Sequence, residues 1–113
     1  MRKNILIVED EIRIRFLLRD YFQKEDFLVY EAENGKEALE IFKSNKIDLI
    51  ILDIMMPVMD GLTVLEKIRE VSTIPVILLT AKGQEEDKLQ GYDFGADDYI
   101  TKPFSPKVLV AKV

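Results

Sequence analysis

Runs of large aliphatic residues alternate along this chain with stretches of helical periodicity. The most apolar run is Leu49-Ile50-Ile51-Leu52, which leads directly into Asp53. Such a run predicts a central strand covered on both faces, Leu49 to Asp53. Pro57 soon afterwards cannot continue a central strand. Ile5 to Val8 and Val76 to Thr80 are similar short runs and predict two more buried strands. Phe27 to Ala32 predicts a more polar strand near an edge, and Asp98 to Ile100 a short last one. Helical periods fill the gaps. Over about Ile12 to Lys24 the apolar residues Ile14, Leu17, Leu18 and Tyr21 fall at i, i+3, i+4 and i+7 and predict the inward stripe. A second helix, about Lys36 to Lys43, has Asn34 as cap and Ala38, Leu39 and Phe42 inward. A third follows Asp60 as cap, with Leu62, Leu65 and Ile68 inward. A fourth, about Glu85 to Phe94, is the weakest: it has few core residues, and its internal Gly91 costs about 1 kcal/mol. A fifth begins with Ser105 as cap and Pro106 at the first helical position. Five strands alternating with five helices predict an α/β fold: a doubly wound, five-stranded parallel sheet in the flavodoxin-like order 2-1-3-4-5, with helices on both faces.

The chain has 113 residues, enough for one domain with its own core. It is 48% hydrophobic and 33% charged, which fits a folded globule. The net charge of -5 argues against this domain itself gripping nucleic acid. With no Cys and no His, disulfides, thiol nucleophiles, the usual zinc sites and Ser-His or Cys-His pairs are excluded. Nucleophile or metal chemistry must then run on carboxylates, hydroxyls and lysines. Met1-Arg2-Lys3 precedes only four aliphatic residues before Glu9-Asp10-Glu11, too few for a signal sequence or a membrane span. A cytoplasmic chain without membrane contact is expected.

Ligands of such sheets sit at the carboxyl ends of the strands. Glu9 and Asp10 end the first strand, Asp53 the third and Thr80 the fourth, and Lys102 follows the fifth. Three carboxylates brought together repel one another unless a cation intervenes. A hard divalent ion such as Mg2+, held by carboxylates, water and phosphate oxygens, is the natural partner. With Lys102 as a second positive point and Thr80 as a hydroxyl, the set can handle a phosphoryl group, with Asp53 as nucleophile forming an aspartyl phosphate. On pattern alone the reading stays open. Glu9-Asp10 can be a solvated strand end, Thr80 a helix cap and Lys102 a surface lysine, which would leave only an accidental acidic rim.

Five segments bear on this choice: Ile5 to Glu11, Leu52 to Pro57, Met59-Asp60-Gly61, Thr80-Ala81-Lys82 and Gly95 to Phe104. In order and spacing, across the whole chain, they resemble the receiver domain of bacterial two-component response regulators. Gly95 to Pro106 is most similar to the subfamily with a winged-helix DNA-binding output. The resemblance implies that Asp53 accepts phosphate from a phosphohistidine on a sensor histidine kinase. It implies that Glu9, Asp10, Asp53 and the Met55 backbone carbonyl hold Mg2+, that Thr80 and Lys102 contact the phosphoryl group, and that the Lys102-Pro103 bond is cis. Without a His of its own, the chain needs another protein as donor. Gly61 after Asp60 lets the backbone turn tightly beside the site. The resemblance further implies that Thr80 and Tyr99 switch together. Phosphorylation then favours a homodimer through helix 4, strand 5 and helix 5, with Lys88, Asp97, Asp98 and Lys112 on the shared face.

The last helix departs from the subfamily. Val108 stands where a glutamate is usual, and Lys112 where an arginine is usual. A capping-box partner for Ser105 and a salt-bridge partner for Lys88 are thereby lost, so a weaker dimer is expected. Val113 falls about eight residues, or roughly 12 Å, into helix five. Residues 1-113 are thus expected to be a receiver truncated within that helix, its DNA-binding output domain missing. A stand-alone receiver is one alternative. A haloacid-dehalogenase-like phosphatase is another, disfavoured because Met55 stands where that family has its acid/base aspartate. A flavin module is disfavoured because no Ser/Thr/Gly phosphate loop follows the first strand. The expected role is a signalling domain that catalyses only its own phosphoryl transfer and dephosphorylation. Self-dephosphorylation should be slow, since Met55 and Lys82 are long enough to screen the site from water.

Overall fold

The structure is a computed structural model that describes residues 3-56, 59-81, 95-102, 107 and 109. Eight elements follow in order: β1 (Asn4–Val8), α1 (Ile12–Lys24), β2 (Leu28–Ala32), α2 (Gly35–Ser44), β3 (Leu49–Asp53), α3 (Gly61–Arg69), β4 (Val76–Ala81) and β5 (Asp98–Lys102). The strands form one parallel sheet in the order β2-β1-β3-β4-β5, as the alternation predicts, with β2 at an edge. Parallel neighbours need crossover connections, and α1, α2 and α3 supply three of them. The helix expected over 85–94 and most of the last one lie outside the described residues. Lys107 and Leu109 are helical.

Because side chains alternate across a strand, the sheet feeds two cores. Leu6, Val8, Ile50, Leu52 and Leu78 pack with Ala38, Val64, Leu65 and Ile68 beneath α2 and α3. Ile5, Ile7, Ile51, Ile77 and Leu79 pack with Leu18, Phe22 and Leu109 on the α1 side. Helices thus cover both faces. All five residues of β3 are buried, which explains its unbroken aliphatic run. Asn34 caps α2 by accepting the Glu37 N–H at 2.9 Å, and Asp60 caps α3 by accepting the Thr63 N–H at 2.9 Å. Among the described residues, no helix is long and apolar enough to cross a membrane.

The inward stripe of α1 differs from the periodic reading. Arg15, Leu18 and Phe22 are its buried residues, while Leu17 is 45% exposed. The helix is turned so that the Arg15 head reaches polar partners at the end of β1, and Phe22 meets Phe27 edge-on, ring centroids 5.3 Å apart. Phe27 itself stays outside β2 because its N–H closes the turn onto Phe22 O at 3.0 Å. In α3, Val64 joins Leu65 and Ile68 inside, and Leu62 is only partly buried. β4 and β5 run further than the apolar pattern suggests. Thr80 pairs with Thr101 and Ala81 with Lys102, so the ladder continues past the aliphatic residues.

Candidate functional site

Leu52 pairs with Val8 on one side and with Leu78 on the other, so β1, β3 and β4 end at one rim. Glu9 follows β1 directly. Its N–H donates to Ala32 O at 3.0 Å, which extends the sheet by one rung. Its side chain is fully buried, and Oε1 accepts the Glu11 N–H at 3.1 Å. Asp10, the next residue, is exposed. Asp53 closes β3 and is only 3% exposed, and its Oδ1 accepts the Met55 N–H at 3.2 Å. One carboxylate oxygen from each of Glu9, Asp10 and Asp53 lies within 4.8 Å of the others. Three side chains far apart in sequence converge because parallel strands deliver their ends to one edge.

The backbone beyond Asp53 is tightly held. Ile54 N–H donates to Leu79 O at 3.1 Å, and Ile54 O accepts the Gly61 N–H at 2.8 Å. A Cβ on Gly61 would lie 2.3 Å from the Asp53 carbonyl oxygen, so only glycine fits there. Gly61 is required for this close approach to the strand end.

Thr80 is fully buried on β4, one residue past Leu79, the partner of Asp53. Lys102 ends β5 beside Ala81 and so belongs to the same rim. Met55, just past β3, is 57% exposed. The structure thus gathers Glu9, Asp10, Asp53, Thr80, Met55 and the backbone of Lys102 at one end of the sheet. Tyr99 pairs with Leu78 and is buried in the core beneath α2 and α3. Its N–H donates to Asp98 Oδ1 at 2.8 Å. Asp97 lies at the opposite end of the sheet, where its Oδ2 accepts from Arg69 Nη2 at 2.9 Å and from the Val76 N–H at 2.8 Å. Lys82, Lys88, Val108, Lys112 and the Lys102-Pro103 bond lie outside the described residues.

Two arginines that sequence reasoning passed over organise this scaffold. Arg15 donates from Nη1 to Glu9 O at 3.0 Å and from Nε to Glu31 Oε1 at 3.2 Å. Arg69 donates from Nε to Gly95 O at 2.9 Å in addition to its pair with Asp97. The sole sequence signal for the first is an arginine set among apolar residues, Ile14-Arg15-Phe16-Leu17-Leu18.

All three acidic side chains offer hard oxygen ligands, and two of them are buried. Such a cluster is stabilised by a small divalent cation with oxygen preference. The donor set fits Mg2+.

These features define a flavodoxin-like α/β domain with an acidic pocket at its strand ends. The chain belongs to the response regulator receiver domain family, whose sequence model matches residues 5–113, and is thus the receiver domain of a two-component response regulator. The transcriptional regulatory protein SrrA of Staphylococcus aureus is 50% identical over 113 residues, all of this chain and 47% of that protein. The chain therefore spans about half the length of the curated relatives it matches. A two-component response regulator from Clostridium difficile superposes with a TM-score of 0.94 at 32% identity, covering 98% of this chain and 92% of that one. The receiver domain of the Francisella response regulator 1452 gives 0.91 at 35% identity, covering 98% and 93%. The Vibrio cholerae chemotaxis protein CheY4 gives 0.93 at 32% identity, covering 99% and 96%.

Proposed function

We propose that Asp53 is the phosphoacceptor of this receiver, taking a phosphoryl group from a phosphohistidine of a sensor histidine kinase. The convergence of Glu9, Asp10 and Asp53 within 4.8 Å carries this reading. An Asp53 carboxylate oxygen attacks phosphorus while the P–N bond to imidazole breaks, and the imidazole leaves with a proton. The Thr80 hydroxyl and the Lys102 ammonium hold phosphoryl oxygens, and the Met55 N–H keeps the Asp53 carboxylate oriented before transfer. Glu9, Asp10, Asp53 and the Met55 carbonyl would hold Mg2+, which neutralises phosphoryl charge when bound.

The 50% identity to SrrA favours a longer, cytoplasmic regulator in which this domain controls a DNA-binding output domain. A stand-alone receiver is the second reading, favoured by the match to nearly the whole of CheY4. A dimer through helix 4, β5 and helix 5 belongs to the first reading. A contact through Asp97 must then share or replace the Arg69 pair described above. Without a glutamate at Val108 this dimer should be weak, and Val108→Glu should tighten it; unchanged dimerisation of the phosphorylated domain would reject that account.

The central test is incubation with acetyl phosphate and Mg2+ followed by intact mass. Wild type should gain one phosphoryl group and Asp53→Ala none. Equal gain in both, or none in wild type, rejects the assignment.

A further inference from the structure

We propose that Arg15 is a positioning residue for the cation site, one that fixes the peptide from which Glu9 and Asp10 emerge. The inference rests on reading Glu9, Asp10 and Asp53 as the Mg2+ site. The Arg15 side chain retains only 11% of its exposure. A buried guanidinium is costly unless its donors are used. Its Nη1 donates to the carbonyl of Glu9, and that bond is buried. Its Nε pairs with Glu31 on β2, at the register position beside Ile7.

The Glu9 carbonyl belongs to the peptide plane that joins Glu9 to Asp10. Holding that oxygen sets the direction in which the chain leaves β1, and so where both carboxylates point. On the other side of the Glu9 Cα, the N–H is held by Ala32 O. Glu9 is therefore gripped from both flanking peptides, by the sheet before it and by Arg15 after it. Glu31 balances the guanidinium charge, so the grip adds little net repulsion toward a cation. Arginine suits the task because its planar fork serves two partners at fixed angles, whereas a lysine head is a single flexible point.

The test is titration of the full chain with MgCl2, followed by amide chemical shifts, together with urea unfolding in the absence of Mg2+. Arg15→Met keeps the apolar stem and removes the head, and Arg15→Lys keeps the charge without the fork. Phe22→Leu, in the core contact of the same helix, is a control that loosens the fold away from the site. Removing such a supporting contact weakens metal binding about 10-fold or more. The Mg2+ dissociation constant should rise to that extent in Arg15→Met and by less in Arg15→Lys, with Glu9, Asp10 and Glu11 amides shifted even without metal. Phe22→Leu should lose stability and keep the wild-type constant. Wild-type Mg2+ binding in Arg15→Met, or equal weakening in Phe22→Leu, overturns the positioning role. If Arg15→Met fails to fold, an unchanged constant in Arg15→Lys overturns it instead. A wild-type chain that does not saturate with Mg2+ removes the underlying site reading and the inference with it.

Discussion

Gly61→Ala separates damage to the site from damage to the fold. The new Cβ would lie 2.3 Å from the Asp53 carbonyl oxygen, 2.7 Å from Ile54 Cα and 2.9 Å from the Asp53 carbonyl carbon. Every one of these is a backbone atom, so no side chain can swing aside. Real Cβ contacts stay beyond about 3.0 Å, so the end of β3 or the start of α3 must move by at least 0.7 Å, the difference between 3.0 and 2.3 Å. Overpacking of this kind costs about 1–3 kcal/mol. The stiffer unfolded chain returns about 0.4–1 kcal/mol, leaving a net loss centred on about 1 kcal/mol and at most about 2.6 kcal/mol. With a urea m-value of about 1–3 kcal/mol/M, the midpoint should fall by roughly 1 M. The effect on function should be larger. Reactive groups need placement within about 0.5 Å, and a misplacement of about 1 Å can cost about 100-fold. Phosphorylation by acetyl phosphate and Mg2+, followed by intact mass over time, should slow toward that factor. Gly95→Ala is the matched control. Gly95 has φ +96° and its nearest neighbour is the flexible Arg69 side chain at 3.1 Å. Left-handed strain costs about 1–2 kcal/mol there, at the far end of the sheet from Asp53. Wild-type phosphorylation in Gly61→Ala, or equal slowing in Gly95→Ala, would refute the reasoning.

Further outcomes are expected at three positions. Without Mg2+, Asp53→Asn should melt above wild type, because it removes one of three mutually repelling carboxylates. Mg2+ at about 100 times its dissociation constant should stabilise wild type by about 2.7 kcal/mol and Asp53→Asn by less, read from thermal melts with and without metal. Asp97→Asn keeps an acceptor for the Val76 N–H and loses only a half-exposed ion pair, so urea unfolding should show a loss of about 0–1 kcal/mol. Asp97→Ala strands that N–H as well and should lose about 1–3 kcal/mol more. Asn34→Ala removes the cap of α2 and should cost about 1 kcal/mol by the same measurement.

The strands were legible because their cause is local. Leu49 to Leu52 has nowhere to go but the middle of a sheet, and the alternation of strand with helix then dictates parallel pairing. The rim was legible for the same reason: once the strands are parallel, Glu9, Asp10, Asp53 and Thr80 share an edge by counting residues. The face of α1 was not. Periodicity ranks Leu17 above Arg15 as an inward residue, yet Leu17 is exposed and Arg15 buried. Hydropathy scores a guanidinium as polar and cannot register that a carbonyl at the end of β1 and a glutamate on β2 await it. The Arg69–Asp97 contact escaped similarly, since its two partners stand 28 residues apart and neither breaks a pattern. The lengths of β4 and β5 also depend on partners, because Thr101 and Lys102 join the ladder only through what Thr80 and Ala81 offer.

The Arg69–Asp97 contact has a mechanical consequence. Asp97 is tied to the C-terminal end of α3 and, through both backbone and side chain, to Val76, so β5 starts from a fixed point. Its other end, at Lys102, lies on the rim beside the pocket. Between those ends every residue from Asp98 to Lys102 has a partner on β4, so the strand is held along its length as well as at its start. Asp97 is its most heavily anchored point and Lys102 the residue nearest the pocket. The edge strand thus joins the α3 end of the sheet to the pocket end by one continuous ladder.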